Sequence, residues 1–513
     1  MKKFLSLCLA LVLIVSAAFT LIACNEDNQQ NNNNNNPTNT PNQNGGTTTQ
    51  RVPLDYLPTE GFNGATFNIL EWTAGGQTDI GMRWVPWEEG DVDSKDGDML
   101  GSAVFDRNAW VEENFDVNVT KEYCSVDSVN GALPYTTVVR NDASTTGNAY
   151  QLYILRTVNI VQLVEEGLFA DMNEYDEYIH TEEDWWVQDS VASFTLGSHL
   201  YVAASEMLLR DKGGTAALFF NQVLAADYTG LPNFFELAEN REWTLEEMIN
   251  ACEIVASSLD GDDLMNSAQD MWGCTGGDDP VYYLFNAFNF KFAHINEDGY
   301  LTYDFGYDEN SIEATKRIFD EFMYSDFFMN TMTVGATFLE EGQDLFVDGG
   351  SLFKSGLIKD TALGLKNMTQ LYGILPHPMY DLDQADYSSL VWEHHDSILG
   401  IPQFATDKTM CAVVLEALSW ESYYSVCPVF YDTILLSRAA KDSESKAMLQ
   451  IILDTRSYDP GLYWDNNSGL HGNEGLLRLS KTGSSDIASL WAKYKDTIDG
   501  NVEDVNEWID SKE

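Results

Sequence analysis

Hydrophobic and polar positions along the chain switch repeatedly between a two-residue period and a helical one, and this alternation predicts an α/β body. Thr66–Leu70 reads as a buried strand. Asp106–Phe115 reads as a helix with Asp106 as its cap and Val104, Trp110, Val111 and Phe115 on the apolar side. Val117–Thr120 and Tyr150–Leu155 predict the next strands, and Val161–Gly167 a short helix stopped by glycine. His199–Ala203 and Ala216–Phe220 are further strands. Thr244 opens a helix that runs to Ser257, with Glu247 at the capping-box position. Ile295–Tyr300 predicts a hairpin whose Asp298-Gly299 supplies the positive φ angles of the turn. A helix over Ile312–Tyr324, a strand over Ser397–Ile401 and helices over Lys408–Trp420 and Ser443–Leu453 complete the pattern, without an internal repeat.

The first residues follow another rule. Lys2 and Lys3 precede an unbroken apolar run from Phe4 to Ile22, the pattern of a secretory signal peptide. The run ends in Leu21-Ile22-Ala23-Cys24, which resembles the lipobox of bacterial lipoproteins. That resemblance implies cleavage before Cys24 and a diacylglycerol on its thiol; an uncleaved anchor helix has no need of Cys there. Residues 1–23 are therefore expected as leader and 24–57 as a lipidated tether. Asn25–Gln50 is almost wholly Asn, Gln, Thr, Pro and Gly, with no apolar surface to offset the entropy of ordering. The expected location is the outer face of a bacterial cell membrane, of the Gram-positive kind, held by lipid alone.

Composition narrows the function classes. The remaining body of roughly 450 residues is too long for one core and natural for two lobes. The formal charge of −53, deepened by two when the leader takes Lys2 and Lys3 away, argues against nucleic acid and anionic lipid as partners. Its simplest meaning is a solvated acidic surface. Cys124, Cys252, Cys274, Cys411 and Cys427 remain in the body without metal-ligand spacing; Cys252, Cys411 and Cys427 sit in apolar helical patterns, so buried free thiols and no disulfide are expected. No Gly-x-Ser-x-Gly elbow, HExxH or phosphate loop is present. Asp91–Asp98 fails as a calcium loop, because Lys95 and Asp96 stand where an oxygen ligand and glycine are needed. The expectation is a chain without metal, cofactor or enzymatic activity. With 81 acidic residues, paired carboxylates carry no signal, so a surface-anchored glycan hydrolase stays as the alternative.

Several segments together resemble a family. Leu163–Met172 is similar to a "helix, Gly, apolar, Asp-Leu" element, and Gly197–Val202 to a "Gly-Lys-Ile-Tyr-Gly" strand. Leu218–Asn221, Gly230-Leu231-Pro232 and Trp243–Glu247 follow in the same order as "Tyr-Asn-Lys … Gly-Leu … Pro-x-Thr-Trp-Asp-Glu". Phe346–Gly350 resembles "Phe-x-x-Gly-Lys", and Tyr372–Pro378 resembles "Gly-x-x-Pro-Met-Pro". Their order resembles that of extracellular solute-binding proteins of carbohydrate uptake (family 1-like), the binding components of ATP-binding-cassette importers. Two places depart: Arg241-Glu242 replaces the family's Pro before Thr-Trp, and His394-His395-Asp396 replaces Gly-Gly before the late strand.

The resemblance implies a two-lobed, type II periplasmic-binding-protein-like fold with the ligand cleft between lobes. Lobe 1 is expected from 58–213 plus 373–418, and lobe 2 from 214–372 plus 419–513. It implies capture of a mono- or oligosaccharide and delivery to a membrane permease; the same fold with a peptide or polyamine ligand is the other reading. Sugars present an apolar C–H face and a hydroxyl edge, so a site wants aromatic platforms beside hydrogen-bonding side chains. Trp72 is the candidate platform, with Trp84 reaching the same cleft, and Arg156, Asn159, Asp211, Asp279, Tyr282, Trp392 and His394 are the other candidate ligand-binding residues.

Overall fold

The computed structural model describes residues 51–73, 89–90, 98–125, 134–144, 149–158, 160–259, 261, 264–265, 269–332, 345–436, 443–464, 468–472 and 474–513. The predicted leader, Cys24 and the tether up to Gln50 lie outside these residues, as do Trp84, Asn159 and residues 91–97 of the acidic loop.

The first sheet is built from β1 (Ala65–Thr73), which pairs in parallel with β2 (Val117–Ser125) and β3 (Leu152–Leu155). Phe67, Ile69 and Leu70 bury the middle of β1, which lies at the heart of the sheet. Helix α1 (Met99–Phe115) links β1 and β2. It begins two turns earlier than its pattern predicts, because Asp98 and not Asp106 caps it, accepting from the Gly101 N–H at 2.8 Å. Its added turns bury Leu100 and Val104, which continue the apolar face of Val111 and Phe115.

The second sheet takes β4 (Ala216–Asn221), β5 (Trp272–Gly276), β6 (Phe328–Asn330), β7 (Ser351–Leu357) and β8 (Tyr372–Leu375), ordered β6-β5-β7-β4-β8. β5, β6 and β7 are parallel, and β4 runs against both of its neighbours. Helix α2 (Leu245–Val255) flanks this sheet, opened by Thr244, whose side chain accepts from the Glu247 N–H as its capping pattern predicts. Leu245, Met248, Cys252 and Val255 form its buried stripe at helical spacing. Helix α3 (Pro280–Ala287) follows β5. The predicted helix over 312–324 is an α-helix over Glu309–Arg317 that runs on into a π-helical turn, and the strand expected over 199–203 is only the two-residue arm His199–Leu200 of a tight hairpin.

β9 (Ile398–Gly400) returns to the first sheet, antiparallel to β3, giving the order β9-β3-β1-β2. Each sheet thus holds parallel strands and one reversed strand, β9 in the first and β4 in the second. A strand entered straight from the other lobe starts at the carboxyl edge of its parallel neighbours, so it must run backwards. Both crossings consequently sit on the edge where ligands bind in sheets of this class.

Two boundaries move. β8 pairs with β4, Tyr372 opposite Asn221, so the chain is still in the second lobe at Leu375 and recrosses at Val391–Asp396 instead of at 372. The third crossing also comes later than Trp420, since α4 (Lys408–Glu421) and α5 (Cys427–Leu436) both pack on α1, whereas α6 (Ser443–Asp454) packs on β8. Cys124, Cys252, Cys274, Cys411 and Cys427 are buried and free, and burial pushes the Cys124 and Cys411 thiols up to about 12.

Candidate functional site

The two crossings run side by side. Thr215 bridges to Val391, and the Trp392 N–H donates to the Gly214 carbonyl at 3.0 Å. The carboxyl ends of β3 and β7 meet this line, Thr157 through Asp396 and Ile358 by donating its N–H to the Thr215 carbonyl at 3.0 Å.

From β3 come Arg156 and Thr157, both buried. Thr157 donates its N–H and its hydroxyl to the Asp396 carboxylate, which is buried on the recrossing segment. Burial raises the Asp396 carboxyl well above its ordinary value, with the Thr157 bonds opposing. From the end of β7 comes Lys359, whose Nζ lies 3.0 Å from His395 Nδ1. Burial pulls the Lys359 ammonium down to about 8, against the attraction of Asp360 and together with the repulsion of Lys354. Burial, then Lys359 and Arg156, hold the His395 imidazole far below its usual value, so it is neutral. From the loop after β5 comes Asp279, pushed up to about 6 by burial, with His394 opposing and Asp278 and Glu393 adding to the rise. Arg156 of the first lobe, His395 of the crossing and Lys359 and Asp279 of the second lobe are therefore close enough to act on one another's charge.

Aromatic rings border this cluster. Trp392 has the Tyr282 ring 4.9 Å away and the His394 ring stacked at 5.3 Å, and His394 Nδ1 is 3.0 Å from Glu393 Oε1. Tyr283 stands edge-on to Trp392 at 6.0 Å. The assembly sets buried aromatic rings beside donors and acceptors from both lobes. No group of three metal-ligating side chains occurs among the described residues.

The structure thus brings together Arg156, Asp279, Trp392 and His394 of the predicted site residues. Tyr282 supports the group from below: it is wholly buried and its hydroxyl donates to the His471 carbonyl at 2.9 Å. Two others are elsewhere. Trp72 has no exposed surface; its indole N–H donates to Ser397 Oγ at 2.9 Å and the Arg210 guanidinium lies 5.2 Å over its ring. Arg210 in turn bridges Glu71 at 2.6 Å and Glu89 at 3.0 Å, and Ser397 donates to Glu89 at 2.7 Å. Trp72 is a core residue of a buried ionic knot, not an open platform. Asp211 is equally enclosed, since it takes Arg456 Nη1 at 2.6 Å and the Tyr458 hydroxyl at 3.3 Å. Glu206 joins the same network through Arg456 and through Lys212 at 2.9 Å. Asp211 spends its carboxylate on this interior ion pair and has none to offer a ligand.

Sequence reasoning missed Lys359, Glu393 and Asp396 as members of the cluster. Lys359 follows the apolar run of β7, a signal that marks the end of a buried strand. Glu393 and Asp396 flank the histidine pair where the chain departs from the family pattern, and nothing local distinguishes them from other acidic residues.

Neither a family model nor a curated protein matches the chain in sequence. Solved structures do resemble it. One is UspC of M. tuberculosis, 14% identical with a TM-score of 0.53 over 84% of this chain and 99% of that one. Another is a sugar transporter of Rhizobium etli in an open conformation, 10% identical, TM-score 0.52, over 87% and 99%. A third is a cyclo/maltodextrin-binding protein complexed with maltotetraose, 10% identical, TM-score 0.51, over 87% and 97%. At these identities the likeness is one of fold, and the chain has the two-lobed α/β fold of the periplasmic-binding-protein kind.

Proposed function

We propose that this protein is an extracellular solute-binding protein, lipid-anchored through Cys24, which captures a mono- or oligosaccharide and presents it to the membrane permease of an ATP-driven importer. The observation that carries the reading is the meeting of Arg156, His395, Lys359 and Asp279 beside Trp392, on the line where the chain crosses between lobes. Two of the proteins sharing the fold are a sugar transporter and a cyclo/maltodextrin-binding protein complexed with maltotetraose, which supports a sugar as ligand. Arg156 and Asp279 would hold hydroxyls from opposite lobes, with Asn159 and Trp84 as further contacts. Closure of the lobes on the ligand would create the form that the permease recognises.

A thermal-shift screen across mono- and oligosaccharides tests this. A true ligand at a hundred times its Kd stabilises by about 2.7 kcal/mol. Hydrolysis of any oligosaccharide at catalytic rates would refute the reading in favour of a glycan hydrolase. Stabilisation by polyamines or peptides alone would keep the fold and change the ligand.

A further inference from the structure

The triplet Trp392-Glu393-His394 contains a contradiction of exposure. Trp392 is almost completely covered, and its two ring neighbours, a tilted Tyr282 and a stacked His394, differ in kind. Tyr282 is wholly buried and tied down through its hydroxyl. The His394 side chain is 46% exposed, yet it stacks on Trp392 with the planes 20° apart. An exposed imidazole thus covers an indole at the junction of the lobes. Its anchor is Glu393, whose side chain is only 6% exposed. One Glu393 oxygen meets His394, and the other, Oε2, is buried with no hydrogen-bond partner among the described residues. A buried carboxylate oxygen without a donor is costly, and such groups in native structures call for an explanation.

We propose that the His394 imidazole is a displaceable occupant of the Trp392 ring, that a ligand ring takes its place there, and that Glu393 then accepts the ligand's hydroxyl groups. The inference rests on the sugar-binding reading above. The His394 imidazole is half exposed while Tyr282 is wholly buried, so departure of the imidazole uncovers the indole without disturbing Tyr282. The same movement releases Glu393 Oε1 beside the vacant Oε2, presenting two acceptor oxygens at the edge of a flat platform. That is the pairing a pyranose requires: C–H face on the ring, adjacent hydroxyls on a carboxylate.

The experiment compares wild type, His394→Ala and Glu393→Gln by calorimetry with the sugar identified in the screen. Selectively 13C-histidine-labelled protein reports the ring stack by NMR. His394→Ala is expected to bind several-fold more tightly, and Glu393→Gln about tenfold more weakly or worse. The His394 ring protons should be shielded by the indole in the free protein, lose that shielding in Trp392→Leu, and lose it again on saturation with sugar. Sugar binding with an affinity unchanged or lowered in His394→Ala would overturn the displacement alone, as would a His394 signal unmoved by sugar. No sugar bound by either wild type or His394→Ala would overturn the sugar reading and the displacement with it.

Discussion

The Trp392 N–H donates to the Gly214 carbonyl at 3.0 Å, and this bond joins the two crossings between lobes into one hinge. Gly214 also lies against the carbonyls of His395 and Arg210. A Cβ there would stand 2.9 Å from the first oxygen and 3.0 Å from the second, and both belong to backbone that cannot swing aside. Gly214→Ala is expected to destabilise the protein by about 1–3 kcal/mol through overpacking. Urea denaturation measures it, and an unchanged midpoint would show that the crossings separate freely.

Trp72 stands on the same lobe as Arg156 but behaves differently. Because it is fully buried with its N–H bonded to Ser397, Trp72→Ala should cost about 3–5 kcal/mol in the ligand-free protein. Arg156→Ala should chiefly weaken ligand binding. A Trp72→Ala variant that melts like wild type but loses sugar affinity would restore it to the binding surface.

Arg456 holds Glu206 and Asp211 together in the interior. Removing one partner of a buried ionic group leaves the others uncompensated, so Arg456→Ala should destabilise by about 3–5 kcal/mol. Equilibrium unfolding of the single variant is the measurement. A loss below about 1 kcal/mol would mean that water reaches the network, as it does around exposed pairs.

Two of the buried groups that shape the acid limb of stability act in opposite senses. His377 is buried against Ser355 Oγ at 2.9 Å, and burial pulls it down to about 3. Between about 3 and the unfolded value near 6.5 the unfolded chain binds the proton and the folded chain does not, so stability falls as pH drops through that window. Asp279, raised to about 6, acts in the reverse sense: its contribution is full below the unfolded value near 3.9 and is lost as pH rises through about 6. His377→Asn should flatten the rise of unfolding free energy between about pH 3 and 6.5, and Asp279→Asn should steepen its upper part. Identical slopes in all three proteins would refute both assignments.

Much of the fold can be read along the chain because burial repeats locally. β1, β2, β3, β4 and β9 stand where apolar runs and turn residues place them, and α2 starts at Thr244 as its capping pattern requires. The two-lobed fold is what the resemblance carried by the order of weak motifs implies, and those motifs fall on β4, on β8, at the start of α2 and just before β7. Residue roles at the junction are of another nature. Trp72 is a core residue because Ser397, more than three hundred positions away, receives its N–H and Arg210 covers its ring. Asp211 is unavailable to a ligand because Arg456 reaches it from 245 positions further on. The crossing at Val391–Asp396, and with it the meeting of Lys359, His395 and Arg156, exists only once β8 has joined β4 and β9 has joined β3. Hydrophobic period is a property of neighbours in the chain, and it specifies elements. Exposure, charge compensation and the company a side chain keeps are properties of neighbours in space, and the packing of two sheets against a shared hinge decides them.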